Sequence, residues 1–212
     1  MKEWIKLKNK ALIVCCENDL NLKVFEKSHY IVGVERGCLD LIHKSILIDD
    51  AISDFDSVTK KEIQHIRDNV KNFVKLNEEK DFLDGVAAIQ HVINKYNIND
   101  ISIVLKPTKR MDFNLSIIEL VEYYNVKIIN DFSLAFKLKK GRNVLEYFRY
   151  DSFKYVSLFP LKNSIITIKN MKYCVEEMLF EKHKTVGFSN ELINQLNPEI
   201  ITNEEVIIIF TK

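Results

Sequence analysis

Short apolar runs alternate with helical patterns over the first 130 residues of the chain. The runs are rich in β-branched residues and occupy 11–16, 30–35, 73–76, 101–105 and 126–130. Runs of this kind are typical of strands that are buried on both faces of a parallel sheet. Between them the pattern predicts helices at 59–70, 82–96 and 112–124, and the first of these opens with a capping box, Thr59-x-x-Glu62. This alternation predicts a layered α/β domain with a mainly parallel sheet.

The pattern changes after Asp131. Short strand-like runs follow one another, separated by turn residues, at 133–138, 143–150, 154–161, 164–170, 172–179 and 205–212. Only 189–196 has a helical character. The pattern predicts a C-terminal all-β sandwich domain. We expect the boundary between 131 and 142, and we divide the chain into domains at 1–133 and 134–212.

Charge and composition narrow the possible partners. The 31 basic and 30 acidic residues leave a net charge of +1, and the basic residues are scattered, so we expect neither nucleic acid nor an anionic membrane as a partner. No apolar run approaches the roughly 20 residues of a membrane span, and the N-terminus lacks a signal-peptide cleavage site. The four cysteines form no CxxC pair. These features predict a cytoplasmic protein.

Acidic residues cluster in the predicted loops between strands and helices. Ligands of parallel sheets bind at the carboxyl ends of the strands, so we expect these side chains to meet at one edge. Asp54 and Asp56 are two residues apart, which would put both carboxylates on one face of an extended segment. Each acid alone has a structural explanation, because helix N-termini favour carboxylates. The acids are Glu35, Asp54, Asp56, Asp81, Asp84, Asp112 and Asp131.

Gathered carboxylates suit Mg²⁺, a hard cation that commonly bridges protein carboxylates and substrate phosphates. The basic residues interleaved among the acids are able to contact the phosphates themselves: Arg36, Lys80, Lys109 and Arg110. The combination predicts Mg²⁺-dependent phosphoryl chemistry.

One alternative interpretation comes from the segment DFDSV, which begins at Asp54. It fits the DxDx[T/V] nucleophile motif of haloacid-dehalogenase-type phosphatases. Those enzymes have a strongly apolar strand directly before the motif, whereas the preceding LIDDAIS (47–53) is acidic and broken. Their late Gly-Asp-Gly motif is also absent. We therefore disfavour the phosphatase interpretation.

A set of motifs in a fixed order resembles the thiamin pyrophosphokinase family over nearly the whole chain. In the first half, GVERGCLDLI (33–42), SDFDSV (53–58), EEKDFLD (78–84) and KRMDFNLS (109–116) are similar to that family's GVDRGA, GDFDS, EKDxTD and GRLDHxLAN segments. In the second half, YVSLFPL (155–161), ITIKNMKY (166–173) and TVGFSNEL (185–192) are similar to its YVSLFPL, GLKYPL and GxSNE segments.

The resemblance implies transfer of the pyrophosphoryl group of ATP to the hydroxyl of thiamine, giving thiamine diphosphate and AMP. It implies that Asp54, Asp56, Asp81 and Asp84 hold Mg²⁺ and the triphosphate, with Asp112 as a further catalytic acid facing thiamine. ATP would contact Arg36, Ser57, Lys80, Lys109 and Arg110, and Ser189 and Asn190 would help form the thiamine pocket. It also implies a homodimer, in which thiamine binds between the α/β domain of one chain and the sandwich of the other.

The chain departs from the family pattern at several positions. Ser53 replaces the glycine before DFDS, Leu83 replaces the threonine of EKDxTD, and Phe113 replaces the histidine after the aspartate. Thr108 and Lys109 replace paired glycines, and the loss of glycine removes close backbone approach to a phosphate. The metal-binding acids are kept, which favours an active enzyme. The alternative is a homologue that binds thiamine or nucleotide without catalysis, or that acts on an altered substrate.

Overall fold

The computed structural model describes residues 8–77 and 83–212. Their contacts divide the chain into two compact units, one ending at Met111 and the other beginning at Asp112. This division precedes the third predicted helix, whereas the sequence pattern assigned that helix to a first domain ending at residue 133. The expected boundary at 133/134 stays a prediction. Within the described residues, no helix is long and apolar enough to cross a membrane.

The first unit is a parallel sheet with helices between its strands. The sheet order is β5-β1-β2-β3-β4, and each neighbouring pair is parallel. The strands are β1 (Lys10–Val14), β2 (His29–Gly33), β3 (Ile48–Ser53), β4 (Val70–Lys75) and β5 (Asp100–Val104). The helices are α1 (Arg36–His43), α2 (Lys60–Asp68) and α3 (Asp84–Tyr96).

The core of this unit is built from β-branched and aliphatic residues on the strands. Leu12, Val14, Ile31 and Ala51 have no exposed surface, and helix residues such as Leu41 pack against them. At Gly37, a Cβ atom would lie 1.9 Å from the carbonyl oxygen of Val14, so only glycine lets α1 begin this close to the end of β1. The apolar runs near residues 11, 30, 73 and 101 therefore form strands, as the pattern predicts.

The sequence pattern missed β3, because its two aspartates made LIDDAIS look unsuited to a buried strand. All six residues of Ile48–Ser53 are buried. Asp49 bonds Lys71 at 2.5 Å and Lys8 at 3.2 Å, which compensates its charge. A buried strand therefore does precede the DFDSV motif: it is acidic, as the sequence indicated, but it is not broken.

The buried carboxyl group of Asp50 is hydrogen-bonded by neutral donors and a histidine from three neighbouring elements. Its carboxyl oxygens accept hydrogen bonds from the hydroxyls of Tyr30 (2.9 Å) and Tyr96 (3.0 Å) and from the amide of Asn72 (2.7 Å). His91 Nε2 lies 2.7 Å away. A carboxyl group with this many partners satisfies the rule that buried polar groups are hydrogen-bonded.

Local signals in the sequence account for α2 and α3, whereas the pattern did not predict α1. Thr59 caps α2, since its hydroxyl accepts from the amide of Glu62 and the Glu62 carboxylate accepts from the amide of Thr59, as the capping box predicts. α3 ends at Tyr96, where Asn97 adopts the left-handed conformation typical of a helix C-terminus. The first predicted residue of this helix, residue 82, lies outside the described residues.

The second unit begins with α4 (Met111–Glu122) and continues as two antiparallel sheets. Their orders are β12-β9-β14-β7-β6 and β11-β10-β13-β8. The strands are β6 (Lys127–Ile129), β7 (Ser133–Leu138), β8 (Gly141–Val144), β9 (Tyr155–Pro160), β10 (Ser164–Lys169), β11 (Val175–Phe180), β12 (Asn190–Glu191), β13 (Glu199–Thr202) and β14 (Val206–Thr211).

Residues of both antiparallel sheets share one hydrophobic core, which confirms the predicted sandwich. Ile166 and Ile200 come from one sheet, and Leu158 and Phe210 from the other. Two local predictions are wrong. The segment 189–196 forms β12 and turns rather than a helix, and the run 143–150 ends as a strand at Val144 and continues into a short 3₁₀ helix at Tyr147–Arg149.

Candidate active site

Three carboxylates converge where strands β2 and β3 end and helix α3 begins. Glu35 follows β2, Asp54 follows β3, and Asp84 is the first residue of α3. One oxygen from each lies within 4.8 Å of the others. We refer to these three side chains together as the carboxylate group. Because β2 and β3 are parallel neighbours, their carboxyl ends necessarily emerge on the same edge of the sheet.

Two residues with positive φ shape the loops that carry these acids. Glu35 has φ 50° and ψ −129°, and Phe55, which follows Asp54, has φ 60°. A residue other than glycine in such a conformation costs about 1–3 kcal/mol, and such residues often mark ligand sites. The ring of Phe55 is buried and stacks on Phe73 with centroids 4.5 Å apart, which holds this turn in place.

The turn at Phe55 also separates Asp56 from the carboxylate group. The segment is not extended at Phe55, so the geometry from which we inferred a shared face for Asp54 and Asp56 is wrong. Asp54 is 9% exposed, whereas Asp56 is exposed, and its amide donates to Asp54 Oδ1 at 3.3 Å. Asp56 thus supports Asp54 through its backbone.

Serine hydroxyls and amides link the acids to one another. Ser57 donates to Glu35 Oε2 from its hydroxyl and, at 3.2 Å, from its amide. Ser53 Oγ lies within hydrogen-bonding distance of both Glu35 Oε1 and Asp84 Oδ2. These contacts orient the carboxylates toward one another.

The donor set fits a magnesium ion. Carboxylates this close repel each other unless a cation or proton lies between them. The available atoms are carboxylate and hydroxyl oxygens, which suit Mg²⁺ rather than a softer metal. Of all groups of three or more possible ligands within the described residues, Glu35, Asp54 and Asp84 form the one that converges.

The structure accounts for the other predicted residues of the first unit as follows. Arg36 is the first residue of α1, and its exposed guanidinium bonds Glu17 at 2.8 and 3.2 Å, which raises the pKa of Arg36. Lys109 and Arg110 are exposed in the loop that follows β5, where the Arg110 amide donates to Thr108. Asp81 and Lys80 lie outside the described residues.

Glu35 is the member of the carboxylate group that the motifs did not predict as a metal ligand. The signal was available, because Glu35 ends the apolar run 30–35, which the pattern predicts as a strand. It sits where the family motif GVDRGA has its aspartate, so the acidic character is kept.

The predicted thiamine-binding residues belong to the second unit. Asp112 is exposed in the first turn of α4, and Ser189 is exposed with φ 60°. Asn190 is only 7% exposed, and its side-chain amide both donates to the carbonyl of Tyr173 (2.8 Å) and accepts from the Tyr173 amide (2.9 Å). Asn190 therefore holds the backbone at Tyr173.

Two cysteines beside the carboxylate group are poor nucleophiles. Burial raises the pKa of Cys38 to about 12, and nearby Glu35 adds to the shift. Burial likewise raises the pKa of Cys15, with further contributions from Cys16 and Asp84. Thiols that stay protonated react slowly. This favours a packing role for both cysteines.

A parallel α/β sheet with converging carboxylates at the carboxyl ends of its strands is typical of a class of enzymes that bind a metal ion and act on phosphorylated substrates. Comparisons with known proteins identify the family within this class. The family model described as "Thiamin pyrophosphokinase, catalytic domain" matches residues 22–130, and "Thiamin pyrophosphokinase, vitamin B1 binding domain" matches 142–207. The chain belongs to the thiamin pyrophosphokinase family, and the enzyme class predicted from the sequence, thiamine diphosphokinase, is confirmed.

Individual relatives support the family assignment. The thiamine pyrophosphokinase of Bacillus subtilis is 28% identical over a 174-residue match that covers 77% of this chain and 78% of the relative. The crystal structure of that enzyme matches 96% of this chain and 99% of its own at 21% identity, with a TM-score of 0.82. A thiamin pyrophosphokinase family protein from Enterococcus faecalis matches the same shares at 18% identity, with a TM-score of 0.84. The predicted fold class is confirmed.

Proposed function

We propose that this chain transfers the pyrophosphoryl group of ATP to the hydroxyl of thiamine, in a reaction that needs Mg²⁺ and yields thiamine diphosphate and AMP. The convergence of Glu35, Asp54 and Asp84 within 4.8 Å is the observation that carries the proposal. In this transfer the hydroxyl oxygen bonds to the β-phosphorus of ATP, the bond from that phosphorus to the oxygen it shares with the α-phosphorus breaks, and AMP leaves.

Glu35, Asp54 and Asp84 would hold the magnesium ion. When bound, Mg²⁺ neutralises charge on the triphosphate and helps to orient it. The exposed carboxylate of Asp56 and the side chain of Asp81 are further proposed ligands from the family motifs. Residues 55–57, which follow Asp54 in the loop after β3, fix the orientation of Asp54 and Glu35 before a ligand binds.

The triphosphate would be held by cations and donors around this carboxylate group. Arg36 supports this role, because its contact with Glu17 is an exposed ion pair, and such pairs contribute about 0–1 kcal/mol and are readily exchanged for another partner. The other proposed ATP-binding residues are Ser57, Lys80, Lys109 and Arg110. Alignment of the reacting groups supplies much of the rate enhancement in phosphoryl transfer, since the protein has little covalent chemistry to perform.

Thiamine would be held by the three predicted residues of the second unit. Asp112 is proposed to face the reacting hydroxyl and accept its proton, and its exposure leaves the carboxylate accessible. Ser189 would line the pocket, while Asn190 would position the neighbouring backbone at Tyr173. The homodimer with thiamine between subunits, and the cytoplasmic location, remain part of the proposal.

The direct test measures AMP formation with purified protein, ATP and thiamine, with and without Mg²⁺. We expect the protein to form AMP only when ATP, thiamine and Mg²⁺ are all present. In the Asp54→Asn variant we expect kcat/KM to fall more than about 100-fold. Even the loss of a residue that only hydrogen-bonds to a metal ligand lowers metal affinity or activity by about 10–100-fold. Asp68→Asn is the matched control, since Asp68 ends α2 on an exposed surface and bonds Gln64.

Two outcomes would contradict the proposal. Equal activity of Asp54→Asn and wild type would remove the carboxylate group from the reaction. Thiamine binding by calorimetry without any AMP formation would favour the non-catalytic alternative.

A further inference from the structure

Ser53 lies at the centre of the carboxylate group. It is the last residue of β3 and has no exposed surface. Its Oγ is 2.9 Å from Asp84 Oδ2, contacts Glu35 Oε1, and accepts a hydrogen bond from the amide of Phe55 at 3.2 Å. One hydroxyl therefore joins an acid that follows β2 to an acid that begins α3.

The geometry of this hydroxyl restricts how the acids are arranged. The Phe55 amide fixes one side of Oγ, and the buried strand leaves the Ser53 side chain little freedom to rotate. Both carboxylates lie against this one oxygen, so its position limits where their oxygens are placed. A hydroxyl has a single hydrogen, so it donates to one of them at a time and remains able to exchange between them.

Ser57 does not duplicate this role. Its hydroxyl and amide both contact Glu35 Oε2, but Ser57 is exposed in the loop. Ser53, by contrast, ties Glu35 to Asp84 across two elements from within the buried strand.

We propose that Ser53 is a positioning residue that prearranges Glu35 and Asp84 for a divalent cation. The inference deepens the proposed function, because it depends on that carboxylate group binding the metal. Residues that orient metal ligands from behind typically contribute a factor of about 10–100 to metal affinity. Ser53 acts through the two acids.

The test measures Mn²⁺ binding to the nucleotide-free protein by electron paramagnetic resonance, with Mn²⁺ as a probe of the oxygen-ligand site. We expect Ser53→Ala to bind Mn²⁺ about 10–100-fold more weakly than wild type. Ser53→Thr keeps the hydroxyl and should restore most of the affinity, which a purely structural role for the serine side chain would not require.

Ser102→Ala is the matched control. Ser102 is also a buried strand serine, but it lies on β5, three strands from β3 and therefore more than about 14 Å away. We expect this variant to bind Mn²⁺ like wild type. Circular dichroism on all variants would establish that each is folded before the titration.

The outcomes separate this inference from the proposed function. If wild type binds Mn²⁺ and Ser53→Ala binds it equally well, the role of Ser53 is refuted and the metal site stands. The role of Ser53 is likewise refuted if Ser102→Ala weakens binding by the same factor, or if Ser53→Thr fails to restore it. If wild type binds no Mn²⁺, the metal site fails and the inference fails with it.

Discussion

Asp49 shows how a single buried charge is accommodated on a strand. Its side chain is 6% exposed, and its oxygens contact Lys71, Lys8 and, at 2.9 Å, the amide of Ile31. Burial by itself opposes ionisation, but the hydrogen bonds from Lys71 and Ile31, together with the charge of Lys8, lower the pKa of Asp49 below its ordinary value. The ionised form is therefore the one that the fold stabilises.

The lowered pKa of Asp49 predicts a pH-dependent contribution to stability. A carboxyl group whose pKa is lower in the folded than in the unfolded state stabilises the fold at pH values above its unfolded pKa of about 3.9. The contribution is lost as the pH falls through the folded-state pKa. We expect Asp49→Asn to lower the free energy of unfolding by about 2 kcal/mol at pH 7, since hydrogen bonds to charged groups contribute about 1.5–3 kcal/mol.

Urea unfolding of wild type and Asp49→Asn at pH 7, 5 and 3 would measure this. The difference between the two proteins should be similar at pH 7 and 5 and smaller at pH 3. A difference that stays constant across this range would contradict the electrostatic explanation.

At the scale of elements, the sequence predicted most strands and helices because their signals are local. β1, β2 and β5 are apolar runs, and α2 carries its own cap. β3 could not be predicted in this way, because the groups that compensate Asp49 and Asp50 are far away in sequence: they come from β2, β4, α3 and Lys8, which precedes β1. The carboxylate group was predicted only in part. Strand order indicated that acids meet at one edge, but the left-handed turn at Phe55, which separates Asp54 from Asp56, has no signal in an aromatic residue.

The capping box of α2 gives a prediction at this scale. Thr59→Ala removes the hydroxyl that accepts from the Glu62 amide, leaving a helix N-terminal donor without that partner. We expect the variant to be destabilised by about 1 kcal/mol, the typical value for loss of an N-cap. Urea unfolding should show a lower midpoint with an unchanged slope, and Thr59→Ser should behave like wild type. An unchanged midpoint in Thr59→Ala would mean that α2 does not depend on its cap.

At the scale of the whole molecule, each unit carries one part of the proposed site. The carboxylate group lies in the first unit and the residues predicted for thiamine, Asp112, Ser189 and Asn190, in the second. The two matched family segments, 22–130 and 142–207, carry separate descriptions, one catalytic and one for vitamin B1 binding. This division makes it possible to inactivate the two functions in different chains.

The proposed homodimer, with thiamine between subunits, therefore predicts complementation between inactive variants. Asp54→Asn removes a metal ligand, and Ser189→Arg puts a bulky cation at an exposed position in the proposed pocket, where it should repel the positively charged thiamine. Each variant alone should be inactive and should elute as a dimer of the 24.9 kDa chain in size-exclusion chromatography with light scattering. Refolded together in equal amounts, they should recover about a quarter of wild-type AMP formation, because half of the dimers are mixed and each mixed dimer has one intact site. A mixture as inactive as its components, or a monomeric wild type, would show that each site is built within one chain.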